Sequence, residues 1–191
     1  MADLDSTSSI LVPSSQADIA LLKVLKDSLV SNLNTAVRNV LGPDQPLIVR
    51  DLTAQDLFPN ATASLFTARM SNPVTLTAQT LTTLQITPLS NQQAFGIYGY
   101  APLSPSPALD IIQFGNGTAV TYARFVVDNI FADTLETVGY FNGPVYWSPN
   151  QTFTLQGVSN AGIGTIGAEQ FALYGLVVEP AGLNIQPVAS A

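Results

Sequence analysis

Thr82-Thr-Leu-Gln-Ile86, the turn Pro88-Leu-Ser-Asn91 and Ala94-Phe-Gly-Ile-Tyr-Gly-Tyr100 form a strand–turn–strand unit without a charged residue. The same texture recurs toward the C-terminus, in Thr118 to Val127, Pro144-Val-Tyr-Trp147, Gln151 to Val158 and Gln170 to Val178. Runs rich in Thr, Val, Ile, Phe and Tyr, bounded by Gly, Pro, Asn and Ser, are the signature of a β-sandwich or barrel. Seven to nine strands are expected between Val74 and Pro180, with everything before Val74 attached to that body.

Working outward, Val74 to Ile86 alternates apolar and polar residues at the period of a half-buried strand. Asp110-Ile-Ile-Gln-Phe114 reads as a strand that ends at the hairpin signal Gly115-Asn-Gly117. Pro102 to Pro107 holds three prolines and reads as a surface loop, and Asn160 to Gly167 as a mobile one. Glu179-Pro180 reads as an isolated strand end near an edge.

Upstream, Ile19, Leu22, Leu25, Leu29, Leu33 and Val37 recur in steps of three and four. That spacing predicts a helix from about Gln16 to Leu41, capped by Ser14 or Ser15 and stopped by Gly42-Pro43. Its stripe suits packing on its own sheet or against symmetry mates, and Lys26 and Asn32 break any long heptad. Residues 1–13 read as a loose tail or as an arm that orders on a neighbour. Pro46 to Val49 is a short strand, Asp51 to Leu57 a helical turn, and Ser64 to Met70 a strand. The expected organisation is residues 1–60 as arm, helix and connector, and 61–191 as the sandwich.

Composition removes several function classes. Only 10% of the 191 residues are charged, and the net charge is −7 with six scattered basic residues. A nucleic-acid binder needs a basic face, so direct binding of DNA or RNA is not expected. No apolar run reaches the length of a membrane span, and the acidic start Met-Ala-Asp-Leu-Asp lacks the features of a secretory signal. The sequence contains neither Cys nor His. Zinc sites built on thiolate and imidazole are thereby excluded, as are Ser-His-Asp and Cys-His nucleophilic catalysis. A mean hydropathy of +0.29 in so sparsely charged a chain points to apolar surface that partners cover.

The remaining constellations are weak. Asp128, Asp133 and Glu136 could offer oxygens to a hard cation, but their spacing fits no established loop and solvated carboxylates explain them as well. Gly162 to Gly167 has GxGxxG spacing but opens no helix, and three Asn-x-Thr matches (Asn60, Asn116, Asn150) are chance-level. No cofactor is expected, and no enzyme activity. Tyr98, Tyr100, Tyr146 and Trp147 either line the core or present rings that stack on a glycan.

Pro144 to Gly157, followed by Phe171-Ala-Leu-Tyr-Gly-Leu-Val-Val-Glu-Pro180, resembles the late strands of small jelly-roll proteins in tailed-phage virions. Thr83 to Tyr100, with its turn Pro88 to Gln92, resembles an early strand pair of the same kind. The resemblance covers about residues 74–182. It implies a capsid decoration (cement) protein: a homotrimer on the outside of a phage head, made in the host cytoplasm, clamping neighbouring copies of the major capsid protein. Contacts expected on that reading are the arm (Ile10, Leu11, Val12), the helix stripe (Leu22, Leu29, Leu33, Val37) and the loops at Pro105 and Gly164. The fold expected is a mainly β, jelly-roll-like antiparallel β-sandwich with an N-terminal helical extension. The alternative function is a carbohydrate- or receptor-binding module of a virion fibre.

Overall fold

The computed structural model describes residues 11–13, 18–57, 68–69, 74–103, 109–117, 119–127, 138–159, 165–166 and 171–182. A short strand β1 (Leu11–Pro13) precedes the helix α1 (Ile19–Leu41), the strand β2 (Leu47–Asp51) and a single helical turn α2 (Ala54–Leu57). Then come β3 (Ala68–Arg69), β4 (Val74–Thr75), β5 (Thr82–Pro88), β6 (Ala94–Pro102), β7 (Ile111–Asn116) and β8 (Val120–Val126). The chain closes with β9 (Gly139–Trp147), β10 (Thr152–Val158), β11 (Thr165–Ile166) and β12 (Phe171–Pro180).

Two antiparallel sheets carry the fold. One has the order β1-β9-β6-β12-β2, with β3 also on β12, and the other β5-β10-β7-β8. Eight of these strands pair as a rolled hairpin. The first, β2, lies beside the last, β12; β5 lies beside β10, β6 beside β9, and β7 beside β8. The β12–β6 and β10–β7 pairs complete each sheet. This winding is a jelly roll, which buries the apolar face of one sheet against that of the other.

The alternation of each strand explains the core. Phe153 and Leu155 on β10, Ile112 and Phe114 on β7, and Phe125 on β8 face Phe95 and Ile97 on β6, and Phe141 and Trp147 on β9. Phe125 and Phe141 stack with centroids 4.0 Å apart, joining the edge of one sheet to the other.

The helix is held on the outer face of the β6–β12 sheet. Leu29, Leu33, Ala36 and Val37 pack with Ala94, Tyr98, Leu176 and Val178 in a second cluster. Gly96 makes this approach possible, since a Cβ there would collide with Leu29 Cδ1. Asp18 caps the helix by accepting from the Ala20 amide at 3.1 Å, and Gly42 (φ 95°) ends it with its N–H on the Arg38 carbonyl. Asp18 thus takes the capping role expected of Ser14 or Ser15, which lie outside the described residues.

Four expectations need correction. The segment before Val74 is no mere attachment: β2 supplies the first strand of the roll, and Leu52, Ala54 and Leu57 sit in the sandwich core. Packing therefore crosses the expected boundary at residue 60. Val74 to Ile86 is not one strand, because Gln79 takes a left-handed φ of 55° and divides β4 from β5. Thr165 and Ile166, read as part of a mobile loop, pair with Thr75 and Val74 as β11. Glu179, read as isolated, is 3% exposed and bound to Arg50 on β2, which it shares with Asp56.

Candidate functional site

Among the described residues the roll leaves a seam between its sheets at β8 and β9. β8 is the outer strand of its sheet, and on the facing side β1 covers β9 only at Gly139, Tyr140 and Phe141. Beyond Phe141 the described residues provide no further partner on that side of β9.

A large bulge shapes β9 at this point. Gly99 on β6 pairs with Tyr140 and Ile97 pairs with Val145. Between those pairs β6 contributes Tyr98 alone, whereas β9 contributes Phe141-Asn142-Gly143-Pro144. The extra residues bow the strand outward and re-aim its side chains. A cavity of about 460 Å³ results, lined by Tyr122 and Ala123 of β8, Asn142 to Tyr146 of β9, and Ser148 and Gln151 beyond it.

Beside the pocket lining the core is pinned in place. Trp147, fully buried, donates its Nε1–H to the Gly115 carbonyl at 2.8 Å and lies with its ring 5.7 Å from Tyr122. Gln151 accepts the Ser148 amide on Oε1 at 2.8 Å, which leaves its Nε2 as a donor. Among the described residues the lining carries no charge.

Of the aromatic quartet expected to meet a glycan, only Tyr146 reaches the surface, at 40% exposure. Tyr100 and Trp147 belong to the core, and Tyr98 is covered by α1, where Lys26 Nζ lies 5.0 Å over its ring. Strand alternation and the helix cover remove these three as stacking platforms. Tyr122 was missed because the bulge that turns it into the seam, between Phe114 and Gly115 on the partner strand, has no sequence mark beyond Gly115.

The expected contact residues divide as well. Leu29, Leu33 and Val37 are fully buried inside the chain and are corrected from interface to internal packing. Leu22, two stripe positions before Leu29, stays half-exposed, and Ile19 at the start of α1 is 84% exposed. Leu11 and Val12 pair with Phe141 and Tyr140 of their own chain, and Val12 is half-buried. Ile10, Pro105 and Gly164 lie outside the described residues, as do Asp128, Asp133 and Glu136. Among the described residues no group of acidic side chains could hold a metal ion, and no helix is long and apolar enough to cross a membrane.

No family model, curated protein or solved structure matches this chain.

One charged cluster lies elsewhere. Arg50 donates from Nε to Glu179 Oε1 at 2.9 Å, and from Nη1 and Nη2 to Asp56 at 2.8 and 2.7 Å. Asp56 also accepts from the Thr53 amide and hydroxyl and from Gln93 Nε2. Burial alone would push the Asp56 carboxyl up, but the Arg50 guanidinium and the Thr53 donors hold it below the ordinary range. With every partner satisfied, this triad is a structural brace between β2, α2 and β12. On the outer face of the other sheet, Arg124, Gln113, Gln156 and Thr83 hydrogen-bond in a row across all four strands.

Proposed function

We propose that this chain is a structural subunit of a virion, a non-enzymatic jelly-roll protein that decorates the outside of a phage capsid and clamps neighbouring major capsid subunits as a homotrimer. The observation that carries this reading is the overhang of α1. The helix is about 35 Å long, yet its buried positions, Leu25 to Val37, span only about 18 Å. The apolar stripe continues past the sheet through the half-exposed Leu22 to Ile19, which is 84% exposed among the described residues. Apolar side chains in register with a buried stripe favour a second subunit, and burial across a shell lowers the free energy of the assembled state.

Supporting it, the winding is the one that viral capsid domains share with lectins and cupins. The acidic, sparsely charged surface suits contact with protein more than with nucleic acid. Contact through Leu22, Ile19 and the arm at Val12 replaces contact through the whole stripe.

The reading is tested in two steps. Light scattering of the purified chain is expected to give a trimer, reduced to monomer by Ile19→Asp with Leu22→Asp. The chain added to capsids of the encoding virus that have been stripped of outer proteins is expected to co-sediment at a fixed ratio per capsid subunit. A monomer that leaves such capsids undecorated would refute the clamp.

A further inference from the structure

We propose that the seam pocket between β8 and β9 is a binding site for a neutral sugar residue. The site is independent of the capsid reading and would serve a virion or a free protein alike.

Size and chemistry agree on the ligand class. A cavity of about 460 Å³ falls within the range of small-molecule sites and suits a mono- or disaccharide. Two tyrosines, Tyr122 and Tyr146, line it. Tyrosine combines an apolar ring, suited to the C–H face of a pyranose, with a hydroxyl that hydrogen-bonds. Asn142, Ser148 and the free Nε2 of Gln151 add donors and acceptors for sugar hydroxyls. Among the described residues the lining is uncharged, and in a chain of net charge −7 it offers no cation to a phosphate, sulfate or carboxylate.

The obvious competitor is a peptide strand added to the open edge of β9. The bulge argues against it. Pro144 has no N–H to donate, and the residues from Phe141 to Pro144 break the spacing that a ladder needs. Bulges and prolines at an edge are how sheets discourage a further strand. Part of the lining is preorganised as well, through the Ser148–Gln151 hydrogen bond. A ligand therefore meets a site that needs little ordering.

The test is an NMR titration of the full-length chain with the methyl glycosides of glucose, galactose and N-acetylglucosamine. Saturable shifts confined to residues 122–123 and 142–151 are expected with at least one of them. Tyr146→Ala is expected to weaken that binding about tenfold, while an unchanged Trp147 emission spectrum reports an intact fold. The proposal is overturned if no neutral glycoside gives a saturable shift, or if Tyr146→Ala binds as the parent does. Shifts at the same residues from sulfated or sialylated sugars alone, or from a peptide of residues 8–15 alone, would also overturn it.

Discussion

The indole of Trp147 on β9 and the backbone carbonyl of Gly115 on β7 are joined by a 2.8 Å hydrogen bond that crosses the core from one sheet to the other. Gly115 sits at a bulge, and a Cβ there would collide with the Val120 carbonyl, so the strand can turn this oxygen inward only with glycine. Trp147→Phe keeps most of the volume but leaves a buried carbonyl without its donor. The expected loss is about 1–3 kcal/mol in unfolding free energy, read from the urea midpoint.

The brace at Arg50 makes stability depend on acid. Asp56 has a folded pKa below its ordinary value of 3.8, so as pH falls the unfolded chain takes up the proton first. The stabilisation is complete above about pH 4 and disappears as pH drops through the folded value. Urea midpoints measured from pH 7 downward are expected to fall more steeply below pH 4 in the parent than in Asp56→Asn. Glu179→Ala, which strips one carboxylate from the guanidinium, is expected to cost about 3 kcal/mol at neutral pH. That is the low end for a broken buried pair, because the Arg50 side chain is 30% exposed.

At the alkaline end the tyrosines set the limit. Burial, then the charge of Asp51 and the neighbouring Tyr174, push Tyr98 up to about 12, and burial raises Tyr100 as well. In the unfolded chain a tyrosine ionises near pH 10. The contribution of the neutral phenols is therefore full below pH 10 and is lost as pH rises toward the folded value of Tyr98. Phenolate absorbance is expected to show a delayed fraction whose ionisation coincides with loss of near-ultraviolet dichroism. A titration in which every tyrosine ionises near pH 10 with the dichroism intact would contradict this.

Two ends of one helix should answer substitution differently. Leu33→Ala removes a fully buried side chain between α1 and the sheet and is expected to cost about 2–5 kcal/mol. Gly96→Ala should force α1 away from β6 and cost about 1–3 kcal/mol. Ile19→Asp, at an exposed position in the first turn, is expected to change the stability of the single subunit by no more than about 0.5 kcal/mol, any larger loss coming with a fall in mass. Thermal unfolding of the three variants, each compared with its own mass by light scattering, separates internal packing from association.

Local chemistry was legible in the chain itself. The steps of three and four from Ile19 to Val37 marked the helix, and Gly42-Pro43 marked its end within one residue. Period-two alternation and turn residues marked most of the strands of the sandwich, because those signals act within a few residues of chain. The partners of those elements were not legible. Strand alternation says that Tyr146 and Trp147 face opposite sides, but only the tertiary structure decides that Trp147 is inside and Tyr146 outside. The same holds for Leu29 and Leu33, whose stripe fitted a neighbouring subunit as well as the chain's own sheet until Ala94, Leu176 and Val178 were brought beneath it. Arg50, Asp56 and Glu179 carry no local signal of their contact, since 129 residues separate Arg50 from Glu179. Periodicity fixes which faces of an element are apolar; which surface covers each face, and where a seam is left open, is settled by long-range pairing between distant segments.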